Sequence, residues 1–370
     1  MTTNRRDLFS PVPVGHMELR NRLVRSATAE RLATEPAGEA TPALAALYRE
    51  LARGGVGLIV TGHAYVAPQG KAHVEMLGAY GDELIPGLRT LADAVHAEGG
   101  KIALQINHGG RQCAPEAVAE PVAPSAAPTA SGTTPREMTH GEIVEAVDAF
   151  ALAALRAQLA GFDAVQLHGA HGYLIGQFLS PHTNRRSDGW GGDFERRMGF
   201  LAAVCEAVRG RVGRDYPLLI KLGMSDNLDR VPDGLTPDDG ARIAGRLAGL
   251  GLDAIEVSGG SGGGQGDFNG RLGVGTRVHE AYFRPLARRA KAATHLPVIL
   301  VGGLRSRAVM DEVLASGDAD LISLCRPLIC EPDLPHRLQS GQADASDCIS
   351  GGRCWTDRLG QGIGCKCELR

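Results

Sequence analysis

Short apolar runs rich in Val, Ile and Leu recur along the chain, and each is followed by a stretch whose apolar residues return at helical spacing. In order the runs are NRLVRSAT from Asn21, VGLIVTGHA from Val56, KIALQINH from Lys101, AVQLHGA from Ala164, LLIKLG from Leu218, AIEVSGG from Ala254, PVILVGG from Pro297 and DLISLCRP from Asp320. Apolar strands alternating with amphipathic helices are the mark of βαβ units on a parallel sheet, and about eight such units predict a closed α/β barrel, the (β/α)8 or TIM fold. The clearest helix follows Met138. Thr139 and Glu142 form a capping box, Ile143, Val147, Phe150 and Ala154 repeat on one face, and Gly161 supplies a stop. Between Gly109 and about Pro135 the rhythm breaks into a long Pro-, Ala- and Ser-rich segment, so a capping loop over about 109–138 is expected to cover a site.

Length and composition narrow the class. At 370 residues the chain is long for one ordinary domain but fits one barrel with inserted loops. The barrel is expected over 1–345 and a cysteine-containing tail over 346–370. The formal net charge is -3, with Lys and Arg spread rather than clustered, which speaks against nucleic acid or an anionic membrane as partner. The first residues, MTTNRRDLFSPVPVG, lack the apolar core of a secretory signal, and no run is long and apolar enough to span a bilayer. With 8 cysteines and no export signal, reduced thiols and a cytoplasmic location are expected.

Catalytic groups of such barrels lie at the C-terminal strand ends. The third run ends in Gln105, Asn107 and His108, and the fourth in His168, followed by His171 and Tyr173. Gly302 and Gly303 end the seventh and Cys325 and Arg326 the eighth, a pairing suited to a phosphate because glycines admit backbone N–H groups and arginine binds bidentately. Lys221 lies inside an apolar run. It is read as snorkelling to the rim, as a Schiff-base amine, or as a fixed charge beside an electron-accepting ring. On a helical turn His168 and His171 would face one side; a metal there would need further ligands that the other strand ends do not offer, and none is expected.

Together these residues resemble the Old Yellow Enzyme family of NAD(P)H:flavin oxidoreductases, almost end to end. The most specific piece is HGAHGYLIGQFLSPHTNRRSDGWGGDFERR, His168 to Arg197, supported by LRNRLVRSATAE, KIALQINHGGR and ISLCRPLICEPDL. The resemblance implies one non-covalent FMN at the barrel mouth, with NADH or NADPH as reductant. Ala27, Thr28, Ala29 and His63 would border its ring, and Gln105 and Lys221 its pyrimidine edge. Gly302, Gly303, Cys325 and Arg326 would hold its phosphate. His168 and His171 would bind the oxygen of an enone or enoate, and Tyr173 would supply a proton.

Three departures accompany the match. Ala29 stands where relatives often place Thr or Cys near the flavin, and Glu30 where some have a substrate-facing Tyr. In the tail Gly351 replaces the second cysteine of an iron-sulfur ligand set, leaving Cys348 and Cys354, then Cys365 and Cys367, so the tail is read as a relic of that site without iron. The implied activity is reduction of activated C=C bonds. An oxidative demethylating dehydrogenase, a phosphate-binding barrel with Lys221 as Schiff base and a flavin-binding sensor are the alternatives, and a homo-oligomer stays open.

Overall fold

The computed structural model describes residues 7–129, 131–226, 231–260, 280–355 and 362–366. Each of the eight apolar runs contains a strand: β1 (Leu23–Arg25), β2 (Leu58–Val60), β3 (Ile102–Asn107), β4 (Ala164–Gly169), β5 (Leu218–Gly223), β6 (Ala254–Ser258), β7 (Val298–Leu300) and β8 (Leu321–Leu324). Every strand pairs in parallel with its successor, and β8 returns to β1 through Ile322 opposite Leu23, closing a TIM barrel. Being covered on both faces, these strands read as continuous apolar runs rather than as alternations.

The outer ring consists of α1 (Pro42–Arg53), α2 (Ile85–His96), α3 (His140–Leu159), α4 (Leu174–Leu179), α5 (Phe194–Val212), α6 (Pro237–Leu247), α7 (Arg284–Ala293), α8 (Arg307–Ser316), α9 (Arg326–Cys330) and α10 (Leu334–Ser340). The capping box of α3 forms as its sequence predicts: Glu142 N donates to Thr139 Oγ1 at 3.3 Å, and Thr139 N donates back to Glu142 Oε2 at 2.8 Å. Gly161 turns the chain toward β4 at φ +89°. Phe200 stacks on Phe178 at 4.2 Å and meets Phe150 edge-on at 6.3 Å, pinning α3, α4 and α5 together.

The barrel interior is layered. Its floor is dry: Val24, Leu58, Val60, Ala103, Ala164, Leu219, Ala254, Ile299 and Leu321 pack against Val12, Val14, Met17 and Leu19 of an N-terminal hairpin. That hairpin, Val12–Val14 against Met17–Leu19, turns at Gly15 with φ +55° and plugs the lower end. Function is therefore confined to the opposite end.

Behind the first two strands lies a buried charge pair. Arg25 contacts Glu30 at 2.8 Å, with side-chain exposures of only 2% and 6%. Arg25 also donates to Val60 O at 2.8 Å, and Glu30 Oε1 accepts from the Tyr48 hydroxyl at 2.8 Å and from Gly62 N at 3.0 Å. A Cβ at position 62 would fall 1.9 Å from the Glu30 carboxylate, so only glycine lets the backbone come this close. Breaking a buried pair from one side strands the other charge at roughly 3–5 kcal/mol. Arg25→Met should lose about that much in chemical denaturation, and Arg25→Met with Glu30→Gln should recover part of it. Equal stability of Arg25→Met and the parent would remove the pair from the fold's requirements.

Candidate active site

The C-terminal strand ends surround a cavity of about 1150 Å³. Ligand sites usually span roughly 300–1,000 Å³, so this one has room for a cofactor and a second molecule. Ala27, Thr28, Ala29, His63, Gln105, His168, His171, Tyr173, Lys221, Gly302, Gly303, Cys325 and Arg326 all line it, so the structure brings every site residue expected from the sequence into one space.

Strand register builds the cavity floor. Lys221 lies opposite His168 on β4 and opposite Glu256 on β6, and Gln105 lies opposite Gln166. The Glu256 carboxylate, fully buried, accepts from Ser26 at 2.7 Å, Ser323 at 2.8 Å and Gln166 at 2.9 Å, and pairs with Lys221 Nζ at 3.1 Å. Gln105 extends the chain by donating to Gln166 at 2.6 Å, while Lys221 donates to Ser26 at 2.7 Å. Burial alone would raise the Glu256 carboxyl, but the charge of Lys221 and the three donors outweigh it and hold it lowered. The result is a satisfied polar layer laid over an apolar floor. Lys221 neither snorkels nor stands free as an amine for a Schiff base.

The histidines sit on a turn rather than on a helix. β4 ends at Gly169, α4 begins at Leu174, and between them His171 takes φ +58°. This left-handed step, uncommon outside glycine, brings the His168 and His171 rings to 5.1 Å and the His168 and Tyr173 rings to 4.7 Å. His171 Nε2 meets Ser258 Oγ at 2.8 Å, which anchors its ring to β6. Ala170 N donates to His168 Nδ1 at 3.4 Å, leaving Nε2 as that ring's N–H donor. Burial first, and then the positive charge of Lys221, lowers His171 to about 3. His168 is lowered well below its ordinary value by burial and by its neighbours His171, His63 and Lys221. Both are neutral donors at ordinary pH. Burial raises Tyr173, keeping its hydroxyl protonated.

At the other end Gly302 and Gly303 adopt φ +127° and +73°. A Cβ on Gly302 would stand 3.0 Å from the Phe283 and Tyr282 rings, so any side chain would fill this cradle. The opening turn of α9, with Arg326, adjoins it. Arg326 Nη1 donates to Ser350 O at 3.2 Å, and Cys325 Sγ lies 3.2 Å from Thr28 Oγ1.

Other wall residues carried no signal in the sequence reading. His73 arrives from the segment after β2. Its Nδ1 lies 2.6 Å from Val74 O, and its Nε2 lies 3.1 Å from His63 Nε2, while Asn107 Nδ2 donates to His63 Nδ1 at 2.9 Å. The tail contributes Ser350, Gly352 and Trp355, and Trp355 Nε1 donates to Ala29 O at 2.9 Å.

Three expectations change. Glu30 does not face substrate space; it is spent on Arg25 and Tyr48, and the next residue, Arg31, reaches the cavity wall. None of the described residues of 109–138 lines the cavity. That loop packs sideways, held by Arg186 Nη1 on Pro124 O at 2.8 Å and Met138 O at 2.7 Å. In the tail, Cys365 hydrogen-bonds Cys330 of α9, outside the 346–370 segment that holds Cys348 and Cys354; Cys367 lies outside the described residues. Among the described residues no His, Cys, Asp and Glu side chains are grouped to hold a metal ion, and no helix is long and apolar enough to cross a membrane.

The donor set suits FMN. Gly302, Gly303 and Arg326 offer phosphate partners, Lys221 offers a cation, and Gln105, whose Nε2 is taken by Gln166, offers its amide oxygen. The profile of the NADH:flavin oxidoreductase / NADH oxidase family matches residues 7–345. The chain is 38% identical over 369 residues to an NADH oxidase of Thermoanaerobacter brockii, covering 98% of this chain and 56% of that one, about half its length. It is 37% identical over 330 residues to an NADPH dehydrogenase of a Geobacillus strain, covering 89% of this chain and 92% of that one. Among solved structures it superposes on the old yellow enzyme homologue from Zymomonas mobilis with a TM-score of 0.78, 26% identity, and coverage of 93% and 95%.

The neutral histidines tie stability to pH. Burial lowers His63, His73, His108, His168 and His171, and His108 is brought to about 4. Each binds a proton near pH 6.5 only when unfolded, so its stabilising effect is complete above that pH and is lost as pH falls toward the folded value. Chemical denaturation should show stability dropping from pH 7 to pH 5. His108→Gln, at a residue that does not line the cavity, should reduce the slope near pH 5 by up to about 1.4 kcal/mol per pH unit. An unchanged slope would show that His108 is protonated in the fold.

Proposed function

The chain belongs to the NADH:flavin oxidoreductase / NADH oxidase family, the Old Yellow Enzymes, and from that premise we propose that it reduces the activated C=C bond of α,β-unsaturated carbonyl compounds at the expense of NADH or NADPH. The cofactor is FMN, which when bound accepts hydride from the nicotinamide and returns it to an acceptor. The observation that carries the proposal is the pair of neutral imidazoles, His168 buried and His171 half-buried, beside a tyrosine hydroxyl with no hydrogen-bond partner among the described residues, in the cavity that Gly302, Gly303 and Arg326 also line.

His168 and His171 are proposed to donate to the substrate's carbonyl oxygen. Two N–H donors on one oxygen draw electron density out of the conjugated system and leave the β carbon electrophilic. Neutrality matters here, since a neutral imidazole stabilises growing negative charge without giving up its proton. Ser258 would keep the His171 ring in place. The Tyr173 hydroxyl, with no hydrogen-bond partner among the described residues, would protonate the α carbon, a task suited to an acid that stays protonated at pH 7. Lys221 would put a fixed cation beside the ring edge where negative charge collects on reduction, with Glu256 holding the ammonium in position. Ala27, Thr28, Ala29, His63 and Gln105 would flank the ring, and Gly302, Gly303, Cys325 and Arg326 would take the phosphate. The partner implied is a small-molecule enone or enoate.

Separate half-reactions test the histidines. His168→Ala and His171→Ala should each slow enone-dependent reoxidation on the order of a hundredfold and reduction by NAD(P)H much less, because nicotinamide needs positioning but no oxyanion donor. Tyr173→Phe should also slow reoxidation selectively. Wild-type reoxidation in both histidine variants would make these side chains structural.

Redox titration tests the cavity floor. Lys221→Met should lower the flavin potential and slow its reduction, and Glu256→Gln should raise the potential by leaving the Lys221 charge unshared. A potential unmoved by Lys221→Met would place that ammonium away from the ring.

A further inference from the structure

Among the described residues of the cavity wall, Arg31 is a cation with no part in the proposed reaction. Arg31 follows the buried Glu30 and takes φ +55°, a conformation that few non-glycine residues adopt. Glu30 is anchored by Arg25, Tyr48 and Gly62, so the chain is fixed up to that point, and the left-handed step at Arg31 determines where the next side chain goes. It goes to the cavity wall. There it is close enough to His73 and Tyr173 for its charge to act on both, in each case favouring the form that carries less positive charge.

The other charged groups that line this wall among the described residues are engaged. Lys221 is paired with Glu256, Arg326 donates to Ser350 O, and Asp226 accepts from Ser180 at 2.6 Å and from Leu235 N at 2.7 Å. Arg31 has no hydrogen bond or ion pair among the described residues. Glu35, the nearest carboxylate along the chain, is taken by Lys71 at 2.8 Å. Backbone strain that aims an unpartnered guanidinium at a ligand cavity is the kind of local cost that persists at functional sites.

We propose that Arg31 binds an oxyanion of the substrate, so that the preferred acceptors are unsaturated carbonyl compounds bearing, besides the carbonyl group held by His168 and His171, a carboxylate or another acidic group. The inference rests on the reading of the cavity as a substrate site. A planar guanidinium matches a carboxylate bidentately, and Arg31 lines the same cavity of about 1150 Å³ as His168 and His171. Phosphates of the reductant carry the same chemistry, so the test must separate the two sources.

The holoenzyme is titrated with 4-oxopentanoate and with its methyl ester, neither of which has a C=C bond to reduce, and binding is read from the flavin absorbance. The acid should bind roughly ten- to hundredfold more tightly than the ester, as charge-assisted hydrogen bonds allow. That ratio should collapse toward one in Arg31→Gln and be partly restored in Arg31→Lys. Equal binding of acid and ester by the parent, or a ratio that survives Arg31→Gln, overturns the proposal. So does a tenfold weakening of NADH or NADPH binding in Arg31→Gln with the acid-to-ester ratio intact, which would assign the guanidinium to the reductant. Turnover of 4-oxopent-2-enoate is measured in parallel. If it is not reduced while the binding ratio behaves as expected, the ene-reductase reading fails and the anion subsite stands.

Discussion

The buried pair of Lys221 and Glu256 is the constraint around which the upper half of this barrel is organised. Two opposite charges 3.1 Å apart at the centre of a parallel barrel are costly to bury unless every remaining lone pair and proton finds a partner. Here the carboxylate finds them: Ser26, just past β1, Gln166 from β4 and Ser323 from β8 converge on it, and Gln105 from β3 extends the network. Strands from around the barrel thus share one hydrogen-bonded layer. It divides the dry floor, plugged by the N-terminal hairpin, from the cavity above, and it holds the Lys221 ammonium as a fixed charge on the cavity side.

A fixed cation in a water-poor space has consequences for its neighbours. It adds to the desolvation of His168 and His171 and keeps both imidazoles neutral, so they act as hydrogen-bond donors rather than as acids. The same burial keeps Tyr173 protonated. One electrostatic environment therefore holds two imidazoles neutral and one phenol protonated. The cost falls on stability at low pH, where each buried neutral histidine opposes folding. Backbone strain is concentrated in the same place, with left-handed steps at Arg31, His171 and Ser350 all bordering the cavity.

The tail shows how a segment without secondary-structure signal becomes part of a site. Residues 346–355 run along α9 and the end of β1, where Ser346 and Asp347 hydrogen-bond Glu331, Ser350 O receives Arg326, and the Trp355 indole holds Ala29 O. These contacts place Ser350 and Trp355 on the cavity wall. The tail is thus joined to the end of the cavity where Arg326 stands.

The barrel itself was legible in the chain because parallel strands covered on both faces must be continuously apolar and must alternate with one-sided helices. The polar residues closing the runs, from Gln105 to Arg326, were legible because they interrupt apolar strands, although Asn107 and His108 do not line the cavity. Other features depended on what stands beside what. Glu256 was hidden within AIEVSGG, where a lone carboxylate has no evident meaning until register sets it beside Lys221. Glu30 and Arg31 are adjacent in a segment without periodicity, so only the buried Arg25 and the close approach of Gly62 decide which of them turns inward and which faces the cavity. The loop over 109–138 was recognised as a loop, but its direction depends on Arg186, more than 45 residues beyond its last turn toward Met138, bonding its carbonyls. Local pattern determined which residues are strand, helix and strand end, because those preferences act within a few positions of the chain. Pairings between distant charges, and the strained turns that aim side chains, were decided by tertiary structure, because their energies exist only once the barrel has closed and excluded water.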